Sequence, residues 1–221
     1  MKLYTQHKKV VILEDQPFAR GGQGAIHTVI SPNSSPLKVA KVYLSETKAS
    51  EVEKRIEFMI KNNPFINSKP MIKESFTWPI ESLFKGNGKF VGFTMKMLEG
   101  CKTSYKLTIP KGYKENKWTK FNITEKDSYN KRLKIAYNLC QALDVLDKSN
   151  QFRVVDLKPS NIMLTKDAHI RVIDCDSFQI SNNGKVLFNA EAAAPEYCPP
   201  EFHNGKVNFR NNEVRNDWDY F

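Results

Sequence analysis

The stretch "VVDLKPSNIML", residues 154 to 164, constrains the fold more than any other. Two apolar runs, Val154-Val155 and Ile162-Met163-Leu164, both require a core, yet Asp156, Lys158 and Asn161 stand between them. Lys-Pro-Ser-Asn is ordinary turn chemistry, so a polar hairpin is one reading. The other is a loop that presents an acid, a cation and an amide to a phosphate and a metal. Downstream, "RVIDCDSF" puts Asp174 at the end of a further apolar strand. A hairpin formed by "NIML" and "HIRVID" would set Asp156, Asn161 and Asp174 around one point, with oxygen ligands suited to magnesium.

Composition narrows the classes. Hydrophobic residues make up 40% and charged residues 26% of 221 residues, which excludes a disordered chain and leaves room for one large domain or two small lobes. Four cysteines (Cys101, Cys140, Cys175, Cys198) lie far apart with no C-x-x-C pair. That argues against a disulfide framework and a zinc ribbon, and for a reduced, cytoplasmic protein. "MKLYTQHKKVVILED" has four consecutive apolar residues, too few for a signal-peptide core, and nothing downstream approaches a membrane span.

The excess of 34 Lys+Arg over 24 Asp+Glu gives +10 and favours anionic partners: nucleotides, nucleic acid or acidic protein surfaces. It is densest over residues 101–127, where seven lysines alternate with Tyr105, Tyr113, Trp118 and Phe121. Such a stretch is either a single-strand-binding surface or, the reading preferred here, a solvated insertion with a few anchoring rings.

The first hundred residues read as short strands with one helix, from about Ser45 to Lys61, and a hairpin around Gly86-Asn87-Gly88. After Glu99-Gly100 the texture changes. A long amphipathic helix starts at Asp127, a plausible N-cap, with Leu133, Ala136, Leu139, Cys140, Leu143 and Leu146 on its expected buried face. The expectation is an α+β chain of two lobes, 1–98 and 99–221, joined near residues 96 to 100 with a cleft between them.

In the first lobe, "ARGGQGAIHTV" carries Gly21, Gly22 and Gly24 between two strands, where backbone amides can approach phosphates without side-chain obstruction. Most glycine clusters are simply turns. Lys41 sits inside the apolar strand "KVAKVY", and Glu53 lies on the inward edge of the helix, in line with Ala49, Ile56 and Ile60. A carboxylate there wants a cation, and Lys41 is the nearest candidate.

These features, in this order, resemble a eukaryotic-like protein kinase over nearly the whole chain. "ARGGQGAI" resembles the glycine-rich loop, "VAKVY" the strand of the ATP lysine, and "EVEKRI" the helix with its glutamate. "FTMKMLEG" resembles the hinge, "DLKPSN" the catalytic loop, "IDCD" the metal-binding motif, and "PEYCPPE" the end of the activation segment. Each is weak to moderate alone, and seven in order are strong. "GGQG", Trp78-Pro79 and "DCDSFQI" are further similar to bacterial kinases of tellurium-resistance type operons.

The resemblance implies a two-lobe kinase fold, with a β-rich first lobe and an α-rich second lobe cut off near the start of its central helix. That helix would begin with Asp219 or Asp217. It also implies ATP and Mg2+, a protein substrate with Ser/Thr hydroxyls, and an operon-encoded phosphatase or adaptor. Asp156 would orient or deprotonate the acceptor, Lys158 would neutralise the transferred phosphoryl, and Asn161 and Asp174 would hold magnesium. The nucleotide would meet Ala19, Gly21, Gly22, Gly24, Ile26, Ala40 and Lys41, with Glu53 positioning Lys41, Met95 as gatekeeper, and the backbone of Lys96 and Leu98 receiving adenine.

Several positions depart from the family pattern. Ala19 replaces the first loop glycine, and Val154-Val155 replace the usual His-Arg. Without that arginine, activation by a phosphorylated loop loses its usual partner. Cys175-Asp176 replace Phe-Gly, and Ala194 stands where Ser/Thr kinases carry a threonine. Two alternatives stand beside the enzyme: a pseudokinase-like nucleotide-binding interaction module, and a basic nucleic-acid-binding domain.

Overall fold

Period-two alternation in the first hundred residues builds a sheet that closes on itself. The computed structural model describes residues 1–205, 208, 213–215 and 218–220. The chain divides into two compact units, Met1–Asn63 with Thr77–Leu98 and Pro64–Phe76 with Glu99–Phe221.

In the first unit, strands β1 (Lys2–Thr5), β2 (Val10–Leu13), β3 (Ala19–Arg20), β4 (Gly24–Ser31) and β5 (Lys38–Tyr43) precede helix α1 (Glu46–Lys61). After the excursion that carries the short helix α2 (Pro70–Lys73), strands β6 (Glu81–Phe84) and β7 (Phe90–Lys96) complete the sheet. All pairings are antiparallel, in the order β2-β1-β6-β7-β5-β4-β3. Strand β2 also pairs with β4, so six strands form a ring around Leu3, Val11, Leu13, Val29, Ala40, Leu83 and Val91. The other face of β5 carries Val39, Lys41 and Tyr43, because successive side chains alternate.

Helix α1 starts where Ser45 Oγ accepts from the Lys48 N–H at 3.1 Å, a cap worth about 1 kcal/mol. It buries Ala49, Val52, Ile56 and Met59, and Trp78 Nε1 donates to the Met59 carbonyl at 2.9 Å. Burying each large apolar side chain contributes about 1.5–3 kcal/mol.

The second unit contains β8 (Lys102–Thr103), α3 (Asn116–Thr119), α4 (Ser128–Ser149), β9 (Phe152–Arg153), β10 (Ile162–Leu164), β11 (Ile170–Val172), β12 (Gln179–Asn182), β13 (Lys185–Phe188) and α5 (Pro200–His203). Two three-stranded sheets run β11-β10-β8 and β13-β12-β9. Residues 64–76 belong here because Phe65 stacks on Phe76 at 4.6 Å, the Val172 N–H donates to the Ser75 carbonyl, and Arg171 pairs with Glu74 at 2.7 Å. Sequence alone places them in the first lobe, since they contain no motif that signals long-range packing.

The lysine-rich insertion is anchored by its rings. Tyr113, Trp118 and Phe121 are all buried and packed on one another, and Asn122 exchanges two side-chain hydrogen bonds with the Tyr113 backbone. Tyr105 alone of the four rings is exposed.

Helix α4 is rotated from the expected face. Its buried side chains are Ser128, Ile135, Asn138, Ala142, Leu143 and Leu146, whereas Leu133 and Cys140 are exposed. Counting apolar residues misses Asn138, which turns inward to donate to the Ala168 carbonyl at 2.8 Å. Asp127 occupies the N-cap position without a side-chain bond, and Asn150 ends the helix in the left-handed conformation. Near the C-terminus, Gln179 clamps residues 213–215: its Nε2 donates to the Glu213 carbonyl and its Oε1 accepts from the Arg215 N–H.

Among the described residues, no helix is long and apolar enough to cross a membrane.

Candidate functional site

The polar break at residues 156 to 161 is held from both sides. Below it, the buried carboxylate of Asp219 accepts from the N–H groups of Val154 and Val155 at 2.9 and 3.0 Å. Val155 sits at φ 61, a left-handed conformation that a β-branched residue adopts only when its surroundings impose it. Its side chain packs with Ala190, Cys198 and Trp218, which fills the place where the resemblance expects arginine. The strained backbone is thus fixed one residue before Asp156.

Asp219 is one of the two aspartates at which the sequence reading begins a central helix. It lies in a single turn, Trp218–Tyr220, while Asp217 falls outside the described residues. Burial pushes its carboxyl up to about 6, against the pull of the two N–H donors and of Arg153.

Above the break, the side chains converge on Asp156, itself only 6% exposed. Lys158 Nζ donates to both carboxylate oxygens at 3.0 and 2.7 Å, and Asn161 Nδ2 donates to Oδ2 and to the Asp156 carbonyl, each at 3.0 Å. With Nδ2 committed, the amide oxygen of Asn161 is turned away from Asp156. The Ile173 N–H donates to the Asn161 carbonyl at 2.9 Å, so Asn161 lies beside the strand end from which Asp174 emerges.

Asp174 has φ 58 and begins the turn Cys175–Ser177, where Ser177 donates to the Asp174 carbonyl through both N–H and Oγ. A non-glycine residue in this conformation costs about 1–3 kcal/mol and is found where function requires it. Asp176 is buried in the same turn. The Cys198 thiol is raised by burial, then by the charges of Asp156 and Glu196, so the segment before α5 also lies near Asp156.

Among the described residues, no group of three or more His, Cys, Asp or Glu side chains could hold a metal ion. Asp174 brings a carboxylate and Asn161 an amide oxygen, hard ligands of the kind that fit a magnesium ion completing its shell with water and phosphate oxygens.

In the first unit, Ile26 lies opposite Lys41 across β4 and β5, Ala19 opposite Ile26, and Val39 opposite Met95. These side chains therefore share the face of Lys41. Ala40 does not: it points into the ring with Leu83 and Val91, and the residue that accompanies Lys41 is Val39. The resemblance implies Ala40 at the nucleotide, but alternation along β5 puts it and Lys41 on opposite faces.

A methyl on Gly24 would lie 3.1 Å from the Val42 carbonyl and 3.3 Å from Lys41 Cγ, so the glycine leaves room for the lysine stem. Gly22 has open space, and the Gly21 N–H closes the loop on the Gly24 carbonyl at 2.9 Å. That cradle fits a phosphate chain. Gly92, which sequence reasoning passed over, backs the same strand: a Cβ there would stand 1.9 Å from the Lys41 carbonyl oxygen.

The Met97 N–H donates to the Leu37 carbonyl, so strand alternation turns the Lys96 carbonyl toward the opposite edge, while Leu98 lies beyond the end of β7. Glu53 is raised by burial and by Glu57 and lowered by Lys54.

No protein-family model matches the chain. The protein kinase YegI of Escherichia coli O157:H7 is 25% identical over 204 residues, covering 90% of this chain and 28% of YegI. YegI of the K12 strain is 24% identical over 206 residues, covering 91% and 28%. The chain thus spans just over a quarter of these relatives.

Among solved structures, the ROP18 kinase domain in complex with AMP-PNP and sucrose superposes with a TM-score of 0.60 at 14% identity, covering 90% of this chain and 60% of that one. A rhoptry kinase from Toxoplasma gondii gives 0.62 at 10% identity, covering 93% and 57%. The chain is homologous to the YegI protein kinases and has the mixed strand-and-helix fold of eukaryotic-like kinase domains.

Proposed function

We propose that this chain is an ATP- and magnesium-dependent protein kinase domain that acts in the cytoplasm on Ser/Thr hydroxyls of a protein substrate. The observation that carries the reading is Asp156, whose carboxylate is gripped by Lys158 and Asn161 on a backbone pinned by Asp219.

The acceptor hydroxyl transfers its proton to Asp156 as its oxygen bonds to the γ-phosphorus and the bond to the departing ADP oxygen breaks. Lys158, now on Asp156, is long enough to exchange that partner for the transferred phosphoryl oxygens. Asp174 and Asn161 would hold magnesium, which when bound neutralises phosphate charge. Lys41, beside Gly24, holds the α- and β-phosphates. Glu53, a carboxyl raised by burial, gains most from a cation and is assigned to position Lys41. Ala19, Ile26, Val39 and Met95 line the base, and the Lys96 and Leu98 backbone receives it.

One observation favours a second reading, a module that binds nucleotide without transfer: Val155, packed with Ala190, Cys198 and Trp218, stands where the resemblance expects arginine. Radiolabelled ATP separates the two. Wild type should transfer phosphate, Asp156→Ala should lose about 10²–10⁴-fold in rate, and Asp174→Ala should lose the magnesium-ATP thermal shift that Asp156→Ala keeps. A wild type that melts cooperatively and shifts with magnesium-ATP but transfers nothing overturns the enzyme and leaves the second reading. Absence of any shift overturns both.

A further inference from the structure

A second site lies on the second unit, built from three segments that converge on a cavity of about 350 Å³. Lys120 comes from the insertion, Lys131 and Lys134 from the first turns of α4, and Lys166 from the turn between β10 and β11. One acid, Asp167, stands among four lysines. Among the described residues, none of these five groups makes an ion pair, in contrast to Lys102 with Glu115 and Lys148 with Asp144 elsewhere on the surface.

The walls are locked to one another. Asn138 of α4 holds the Ala168 carbonyl, and Arg132 donates to the carbonyls of Phe121 and Leu107, which ties the insertion to the helix. The arrangement therefore does not depend on flexible loops finding each other.

The field reaches inward. His169, next to the turn, has a buried Nδ1 with no hydrogen-bond partner, and its ring is lowered by burial and then by Lys134 and Arg171, against Asp167 and Glu74. Apart from Lys120, whose Nζ lies 5.3 Å from the Phe121 ring centroid, the lysines gather without a counter-charge beyond Asp167, and like charges so placed repel one another, so the cluster stores affinity for whatever neutralises it.

We propose that this cavity is a docking site for a carboxylate-rich segment of a protein partner, separate from the Asp156 loop. The chemistry selects this class. Lysines from three segments present separate point charges on flexible stems, which suits several carboxylates spread along a chain, and the arginine between Lys131 and Lys134, Arg132, is committed to carbonyls. Lys131 and Lys134 stand one helical turn apart, about 5–6 Å between Cβ atoms, close to the spacing of same-side residues on an extended peptide. The insertion's Tyr113, Trp118 and Phe121 are buried and cannot stack nucleobases, and the exposed Tyr129 and Tyr137 of α4 do not line the cavity.

The test is fluorescence anisotropy of the full chain with a labelled peptide of alternating glutamate and alanine, without nucleotide, so it does not depend on phosphoryl transfer. The same peptide with glutamine in place of glutamate is the control. Lys131→Glu/Lys134→Glu should weaken binding about tenfold or more, since like charges then face the ligand. Lys166→Glu, on a different wall, should weaken it in the same direction. Lys111→Glu/Lys114→Glu, with the same change of net charge outside the cavity, should change it less than about threefold.

Equal losses in the control pair would reduce the effect to net charge and overturn the site. So would equal binding of the glutamine peptide, or an oligothymidine of matched charge binding the cavity more tightly than the acidic peptide.

Discussion

Replacing Asp219 by Asn changes one atom of a buried carboxylate that holds two backbone N–H groups. Two effects oppose each other. The amide oxygen can accept from one of Val154 and Val155, leaving the other N–H facing an NH2, a loss of about 1–3 kcal/mol. Against this, Asn removes a charge that the fold holds at a cost. The carboxyl rises from 3.8 to about 6 even with both N–H bonds in place, which corresponds to about 3 kcal/mol once it is fully ionised.

The sign follows from proton binding. Between pH 4 and 6 the folded wild type binds a proton that the unfolded chain has released, so Asp219 makes stability fall as pH rises through that window. Urea unfolding of wild type and Asp219→Asn at pH 4, 5, 6 and 7 isolates the effect, because other carboxylates cancel in the difference. Wild type should be the more stable at pH 4, and its advantage should shrink by about 2 kcal/mol by pH 7, the rest of the roughly 3 kcal/mol falling outside that range. A flat difference, or an advantage that grows with pH, would mean that Arg153 and the two N–H donors outweigh burial and would refute the reasoning.

Two further substitutions test how the fold presents its sites. Gly92→Ala should destabilise the first unit by more than 2 kcal/mol, since a methyl placed 1.9 Å from the Lys41 carbonyl must push β5 away. Chemical denaturation measures this, and a change below about 0.5 kcal/mol would mean the strand pair gives freely. Asn138→Ala should cost about 1–3 kcal/mol by leaving the Ala168 carbonyl without its buried donor, and should weaken acidic-peptide binding by loosening the turn that carries Lys166. Unchanged hydrogen exchange in residues 165–169 of that variant would count against the link.

Local chemistry alone settled a good deal. Ser45 at the start of α1 and Asn87-Gly88 between β6 and β7 are signals a chain carries without tertiary help, because a cap or tight turn is decided within four residues. The order of polar motifs was legible for the same reason: Asp156, Lys158 and Asn161 act together within one loop, and the loop sits where the apolar runs break.

Only the tertiary structure decided which face each residue takes and what lies behind it. Ala40 and Val39 are indistinguishable in an apolar run until the ring closes and sends alternate side chains to opposite faces. Asn138 reads as surface until the Ala168 carbonyl, 30 residues on, supplies its partner, and that contact rotates the buried stripe of α4 away from Leu133. The four lysines of the cavity come from segments up to 46 positions apart in the numbering. Hydrophobic patterning reports whether a residue can be buried, and charge whether it can be solvated. Which groups then meet depends on chain segments that only packing brings together.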